Sequence, residues 1–113
     1  MLVSWADELA STVQYPANQI CTDDFTGALA NNTNLGAKGV IALEAFAQLC
    51  ERAQAGRSSD APGGGGTNCS KYSEMASVFA TTWQQHAYTA TPQPHYKMSF
   101  NDLPGVPDSW SLK

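Results

Sequence analysis

Positive charge is scarce in this chain. Six Lys and Arg residues stand scattered among 113, against ten Asp and Glu, for a net charge of −4. No basic patch is available to track a phosphate backbone, so nucleic acid is not an expected partner. Charge of either sign is thin, at 14% of residues, well below the roughly 25% usual in soluble domains. Ser, Thr, Asn, Gln and Gly take its place, a surface style common in secreted proteins. No apolar run approaches the roughly 20 residues a membrane helix needs, so no span is expected. The opening Met1-Leu2-Val3-Ser4-Trp5-Ala6-Asp7-Glu8 has no basic n-region and meets acids early, so no export signal is visible in it. Histidine is also rare: only His86 and His95 are present, and no motif ties either to a nucleophile.

Cysteine is sparse in a different way. Cys21, Cys50 and Cys69 show no CxxC spacing, so no zinc site is expected. The acids and asparagines do not match the spacing of a calcium-binding EF-hand loop. Gly63 to Gly66 lacks the Lys-Ser/Thr that a phosphate-binding loop needs. No metal and no cofactor is expected. Three cysteines fit one disulfide plus a buried thiol, or three thiols. Cys50 and Cys69 flank the glycine-rich stretch, where a disulfide would staple the second helix to the start of the third. Cys21 reads as a structural thiol. Asn31-Asn32-Thr33 and Asn68-Cys69-Ser70 are sequons, so Asn31 and Asn68 would accept glycans on a secretory route.

What is present in quantity is apolar, at 42% of residues, enough to pack one small domain. Leu2, Trp5, Ala6, Leu9 and Val13 recur at helical spacing, predicting a first helix over Leu2–Gln14 that ends before Pro16. From Pro16 to Asn32 no period holds, and a long irregular loop is expected. A second helix over Asn34–Ala53, capped by Thr33 or Asn34, is apolar most of the way round. Only Glu44, Gln48 and Glu51 form a polar wedge, so this helix should leave an apolar face uncovered. Residues 56–68 read as a flexible glycine-rich insert. A third helix over Ser70–Ala87, with Ser70 as its cap, carries the cleanest stripe: Tyr72, Met75, Ala76, Phe79 and Trp83. Trp5, Tyr72, Phe79 and Trp83 are assigned to the core. His86 falls at the end of the third helix and His95 in a loop. Prolines 92, 94, 104 and 107 leave extended segments and turns thereafter. The fold class is all-α with long loops.

Asp23 and Asp24, in "QICTDDFTG", are the chemical candidates. On one reading they bond backbone amides or meet solvent. On the other, amides at the nearby helix start favour anionic groups. Adjacent carboxylates also push their pKa values apart, which suits one as acid and one as base. Asn18, Asn32 and Asn34 are polar groups able to meet an amide or hydroxyl. Lys38, one turn into the second helix, is the nearby cation.

The stretch "YPANQICTDDFTGALANNTNLGAKGVIALEAFAQLCERA", Tyr15 to Ala53, resembles the segment of fungal and bacterial glutaminase A proteins centred on a CTDDF loop and an N-x-N-L helix start. The Trp5-Ala6-Asp7 helix, the Y-x-E-M-A helix at Tyr72 and the terminal Ser109-Trp110-Ser111-Leu112-Lys113 resemble the same family in the same order. The resemblance implies that residues 1–113 are part of a single six-hairpin glycosidase-like domain, an (α/α)6 barrel whose remaining helices lie outside this chain. It implies hydrolysis of L-glutamine to glutamate and ammonia by a secreted or cell-surface parent, with a small-molecule substrate and with this chain inactive alone. On that basis Asp23 and Asp24 are the expected catalytic pair, and Asn32 and Asn34 the residues that orient substrate or loop. The competing expectation is a carbohydrate-active or non-catalytic module of the same fold, since glycosidases there use paired carboxylates.

Overall fold

A computed structural model describes residues 1–21, 27–56, 66–90 and 92–101. Three helices carry the described chain: α1 (Leu2–Thr12), α2 (Thr33–Ala55) and α3 (Ser70–Ala87). Two short antiparallel ladders accompany them. β1 (Gln19–Ile20) pairs with β2 (Ala28–Leu29), and β3 (Tyr88–Thr89) with β4 (His95–Tyr96). The all-α reading therefore holds, with no closed barrel among the described residues. The stretch from Pro16 to Asn32 is less irregular than its sequence predicts, because β1 and β2 form two-residue strands too short to show alternation. His95, expected in a loop, is buried in β4.

α2 and α3 form a helical hairpin pinned at both ends. At one end a Cys50–Cys69 disulfide joins the last turns of α2 to the residue preceding α3. At the other, Trp83 Nε1 near the end of α3 donates to the Thr33 carbonyl at the start of α2, at 2.8 Å. Pins that pair end with start make the two helices antiparallel. Between them Leu43 and Ala47 meet Tyr72, Ala76 and Phe79 in one buried cluster. The two alanines let the axes approach, and burying a Leu or Phe side chain stabilises by about 1.5–3 kcal/mol. Phe46 sets its ring edge-on to Tyr72, centroids 4.8 Å apart.

α1 joins through Ala6 and Val13 and through a polar clamp. The fully buried Tyr72 sends its hydroxyl to Asp7 Oδ1 at 2.8 Å, and Lys71 Nζ reaches the same oxygen at 3.0 Å. The Lys71 bond first, and the Tyr72 bond second, hold the Asp7 carboxyl below its ordinary range. Burial, reinforced by Asp7, pushes the Tyr72 phenol up. On the other flank, Glu44 accepts from Gln48 and from Ser73 of α3, so part of the predicted polar wedge braces the hairpin.

Trp5 is not in the core: it is 59% exposed, and Leu2 is 60% exposed. Helical spacing puts both on the apolar side of α1, but α1 has only the α2–α3 hairpin to pack on. Beyond Ala6 that side faces an open groove of about 340 Å³ floored by Phe46, Leu49 and Ala53. α2 also leaves Ile41 and Leu49 exposed, the uncovered apolar face its composition predicts.

Gly39 sets how closely α1 approaches α2. A Cβ built there would overlap Val13 Cγ2, and Val13 is itself buried. Gly39→Ala should therefore destabilise by about 1–3 kcal/mol through overpacking, despite the roughly 1 kcal/mol that alanine's helix propensity offers. Urea unfolding in a Val13→Ala background should show a smaller loss. A Gly39→Ala variant more stable than the parent would contradict the packing described.

Candidate functional site

The β1–β2 ladder pairs Gln19 with Leu29 and Ile20 with Ala28. Cys21 to Gly27 is therefore the connection at the tip of a hairpin. Asp23 and Asp24 belong to that connection and lie outside the described residues; its two ends are described. Cys21 is buried and outside the disulfide, and Asn34 Nδ2 lies 3.7 Å from its sulfur, a weak contact between Cys21 and the first turn of α2. Gly27 has φ +67°, a left-handed conformation open to glycine without strain.

The hairpin returns through Asn31, also left-handed at φ 54°, a conformation asparagine tolerates better than most residues. The Asn31 N–H donates to the Pro16 carbonyl at 2.7 Å, and its own carbonyl accepts from Phe100 N–H at 3.0 Å. Asn32, not Thr33 or Asn34, caps α2. Its Oδ1 accepts from the backbone amides of Asn34 and Leu35 at 3.0 and 3.1 Å. The Thr33 amide donates instead to the Met98 carbonyl at 3.0 Å. The amides of Thr33, Asn34 and Leu35 are thus all engaged within the junction.

Residues 95–101 complete this junction. Ser99, fully buried, donates to the Ala30 carbonyl at 2.9 Å, accepts from Asn101 N–H at 3.2 Å, and bridges Asn32. Trp83 and Phe100 cover Gly36, where an added Cβ would sit 3.1 Å from each. Trp83 stacks on Tyr96 at 5.0 Å, and Tyr88 meets Tyr96 edge-on at 5.5 Å. Sequence reasoning missed Met98, Ser99 and Phe100 as anchors, because their partners lie far away along the chain.

A groove of about 530 Å³ opens between α1, β1 and α2. Its walls are apolar, from Leu9, Val13, Leu35 and Ala42, with Glu8, Gln19 and Lys38 as polar groups. The size falls within the roughly 300–1,000 Å³ of small-molecule sites, and Gln19 lies in the strand leading into Cys21. Asn32 and Asn34 do not line it. Among the described residues no group of His, Cys, Asp or Glu could hold a metal ion, and no helix is long and apolar enough to cross a membrane. His86 lies in the last turn of α3 between the Tyr15 and Phe100 rings. Asn68 is exposed and Asn31 half-buried.

If Asn32 is the cap, Asn32→Ala should cost about 0.5–2 kcal/mol of stability. Asn32→Asp, which keeps the accepting oxygen, should recover most of it. Urea unfolding monitored by helical circular dichroism checks both. Equal losses in the two variants would show that the amide–oxygen bonds contribute little.

Comparisons with known proteins agree along the chain. The family model for the glutaminase A six helical-hairpin domain matches residues 1–113. A glutaminase A of Aspergillus oryzae is 38% identical over 102 residues, 88% of this chain and 13% of that protein. A probable glutaminase of Arthroderma benhamiae is 28% identical over 98 residues, 86% of this chain and 10% of that protein. The chain thus spans a small part of either relative's length. No solved structure matches. With the family model matched from Met1 to Lys113, the chain belongs to the glutaminase A six helical-hairpin family.

Proposed function

We propose that this chain supplies part of a module that hydrolyses L-glutamine to L-glutamate and ammonia. The observation that carries the reading is the match of all 113 residues to the glutaminase A domain family. Water adds to the side-chain carboxamide, the C–N bond breaks, and the nitrogen leaves as ammonia with a proton supplied by an acid. One of Asp23 and Asp24 takes the proton from water; the other gives a proton to the leaving nitrogen or holds the substrate's ammonium. Asn32 and Asn34 hold the acidic loop rather than the substrate on this reading, since their side chains serve the α2 cap and Cys21. The substrate is a small molecule, and further helices of the six-hairpin domain complete the site. Loops carried on a scaffold often bear catalytic residues, and the segment with Asp23 and Asp24 lies in sequence between the paired strands β1 and β2.

A secreted or cell-surface location goes with this reading, supported by the Cys50–Cys69 disulfide and the two sequons. A carbohydrate-active role is the second reading. One observation favours it: Tyr88 and Tyr96 are 42% and 41% exposed beside the stacked Trp83, an aromatic surface on which a sugar ring could lie.

The test uses a full glutaminase A protein that contains this sequence. Asp23→Asn or Asp24→Asn should lower ammonia release from glutamine by a factor on the order of 10² or more, with the melting temperature unchanged. Asp24 is the more sensitive position, because Gly27 and the helix start follow it more closely. Near-normal turnover with lowered melting temperatures would make the acids structural. Sugar release from glycosides without ammonia release would favour the second reading.

A further inference from the structure

Asn68-Cys69-Ser70 is at once a sequon and one arm of the disulfide. In the folded chain Asn68 is exposed, so a glycan on its Nδ2 would project into solvent. Its neighbours are held. Cys69 is 4% exposed, its sulfur is bonded to Cys50 of α2, and its carbonyl accepts from Tyr72 N–H at 3.1 Å. Ser70 opens α3, and its hydroxyl donates to Asn68 Oδ1 at 2.9 Å. One residue before the sequon, the Thr67 carbonyl accepts from Gln54 Nε2 at 2.6 Å. The tripeptide is therefore tethered to α2 at its central residue, Cys69, and one residue ahead of it through Thr67.

Glycan transfer joins Asn68 Nδ2 to the anomeric carbon of a diphosphate-linked oligosaccharide. The bond from that carbon to the diphosphate oxygen breaks, the diphosphate leaves with the electron pair, and Nδ2 gives up one proton. The transferase must grip both the carboxamide and the hydroxyl two residues on, in a segment free to enter its site. In the closed fold those two groups are bonded to each other and the residue between them is tethered. We propose that Asn68 accepts its glycan only while Cys69 is still a thiol. Glycosylation and disulfide closure compete for one tripeptide, and the occupied fraction records which comes first. Asn31 supplies the contrast. Its sequon hydroxyl, Thr33 Oγ1, is buried without a hydrogen-bond partner, and no cysteine lies within that tripeptide, so disulfide timing should not govern it.

The inference rests on the secretory route proposed above. Directing the chain through a glycosylating secretory host with an added cleavable leader tests it apart from that route, and no activity measurement enters. Occupancy at Asn68 and Asn31 is read by glycopeptide mass spectrometry on intracellular and secreted material, so a poorly folded variant still reports. The background is Cys21→Ser, which leaves Cys50 as the only partner for Cys69. Partial occupancy at Asn68 is expected there, rising when Cys50→Ser is added, with Asn31 unchanged. A short pulse of membrane-permeant reductant during synthesis of the unsubstituted chain should raise Asn68 occupancy in the same way. Full occupancy before either treatment, no glycan on Asn68 in any sample, no response to either treatment, or an equal rise at both sequons would overturn the proposal.

Discussion

A helix whose first turn is buried must find acceptors for amides that its own carbonyls cannot reach, and at the start of α2 this need organises the rest. Asn32 supplies one oxygen for two of those amides, and the Met98 carbonyl supplies another. Meeting the need commits the neighbouring backbone. Met98 can lie there only if Ser99 and Phe100 follow it past Ala30 and Asn31, which they do through the Ser99 hydroxyl and the Phe100 amide. Three separated stretches of chain are thereby fixed around a single helix end, and Trp83 adds α3 through the Thr33 carbonyl.

The same junction anchors the β1–β2 hairpin. Cys21 follows β1 at the connecting end of the hairpin and Asn31 follows β2 at its open end, one against Asn34 and the other between Pro16 and Phe100. The return of the β1–β2 hairpin is therefore tied to a residue nearly at the other end of the sequence. The opposite end of the α2–α3 hairpin is closed by covalent chemistry instead, through Cys50 and Cys69. The helix pair is thus held by hydrogen bonds and aromatic packing at the start of α2 and by a disulfide at the other end.

Helical periodicity made α3 legible, its expected span matching Ser70–Ala87, although Ser70 is the first helical residue and Cys69, not Ser70, stands at the cap. Periodicity reports which side of a helix is apolar, and not whether anything lies against it; that is why Trp5 reads as core yet is exposed, as is Leu2 on the same stripe. The cap of α2 was misread within the run Asn31 to Asn34, where four residues offer side-chain oxygens. Only backbone geometry selects Asn32, whose oxygen meets the amides two and three residues on. Ser99 and Met98 carry no local signal, because what they satisfy lies 69 residues away for the Ser99 bond to Ala30. Asp23 and Asp24 stood out by charge in a charge-poor chain, but a chemical role for them came from the family resemblance, not from spacing.

Ser99→Ala removes the two hydroxyl bonds, to the Ala30 carbonyl and from the Asn101 N–H, and leaves the α2–α3 core untouched, so amide hydrogen exchange in the parent chain and this variant tests the account most directly. If the junction acts as one unit, the amides of Asn31, Thr33 and Phe100 should lose protection together while those of Ala47 and Ala76 keep theirs. Unchanged protection at Thr33 and Asn31, or an equal loss at Ala47 and Ala76, would contradict the claim that residues 95–101 hold the start of α2.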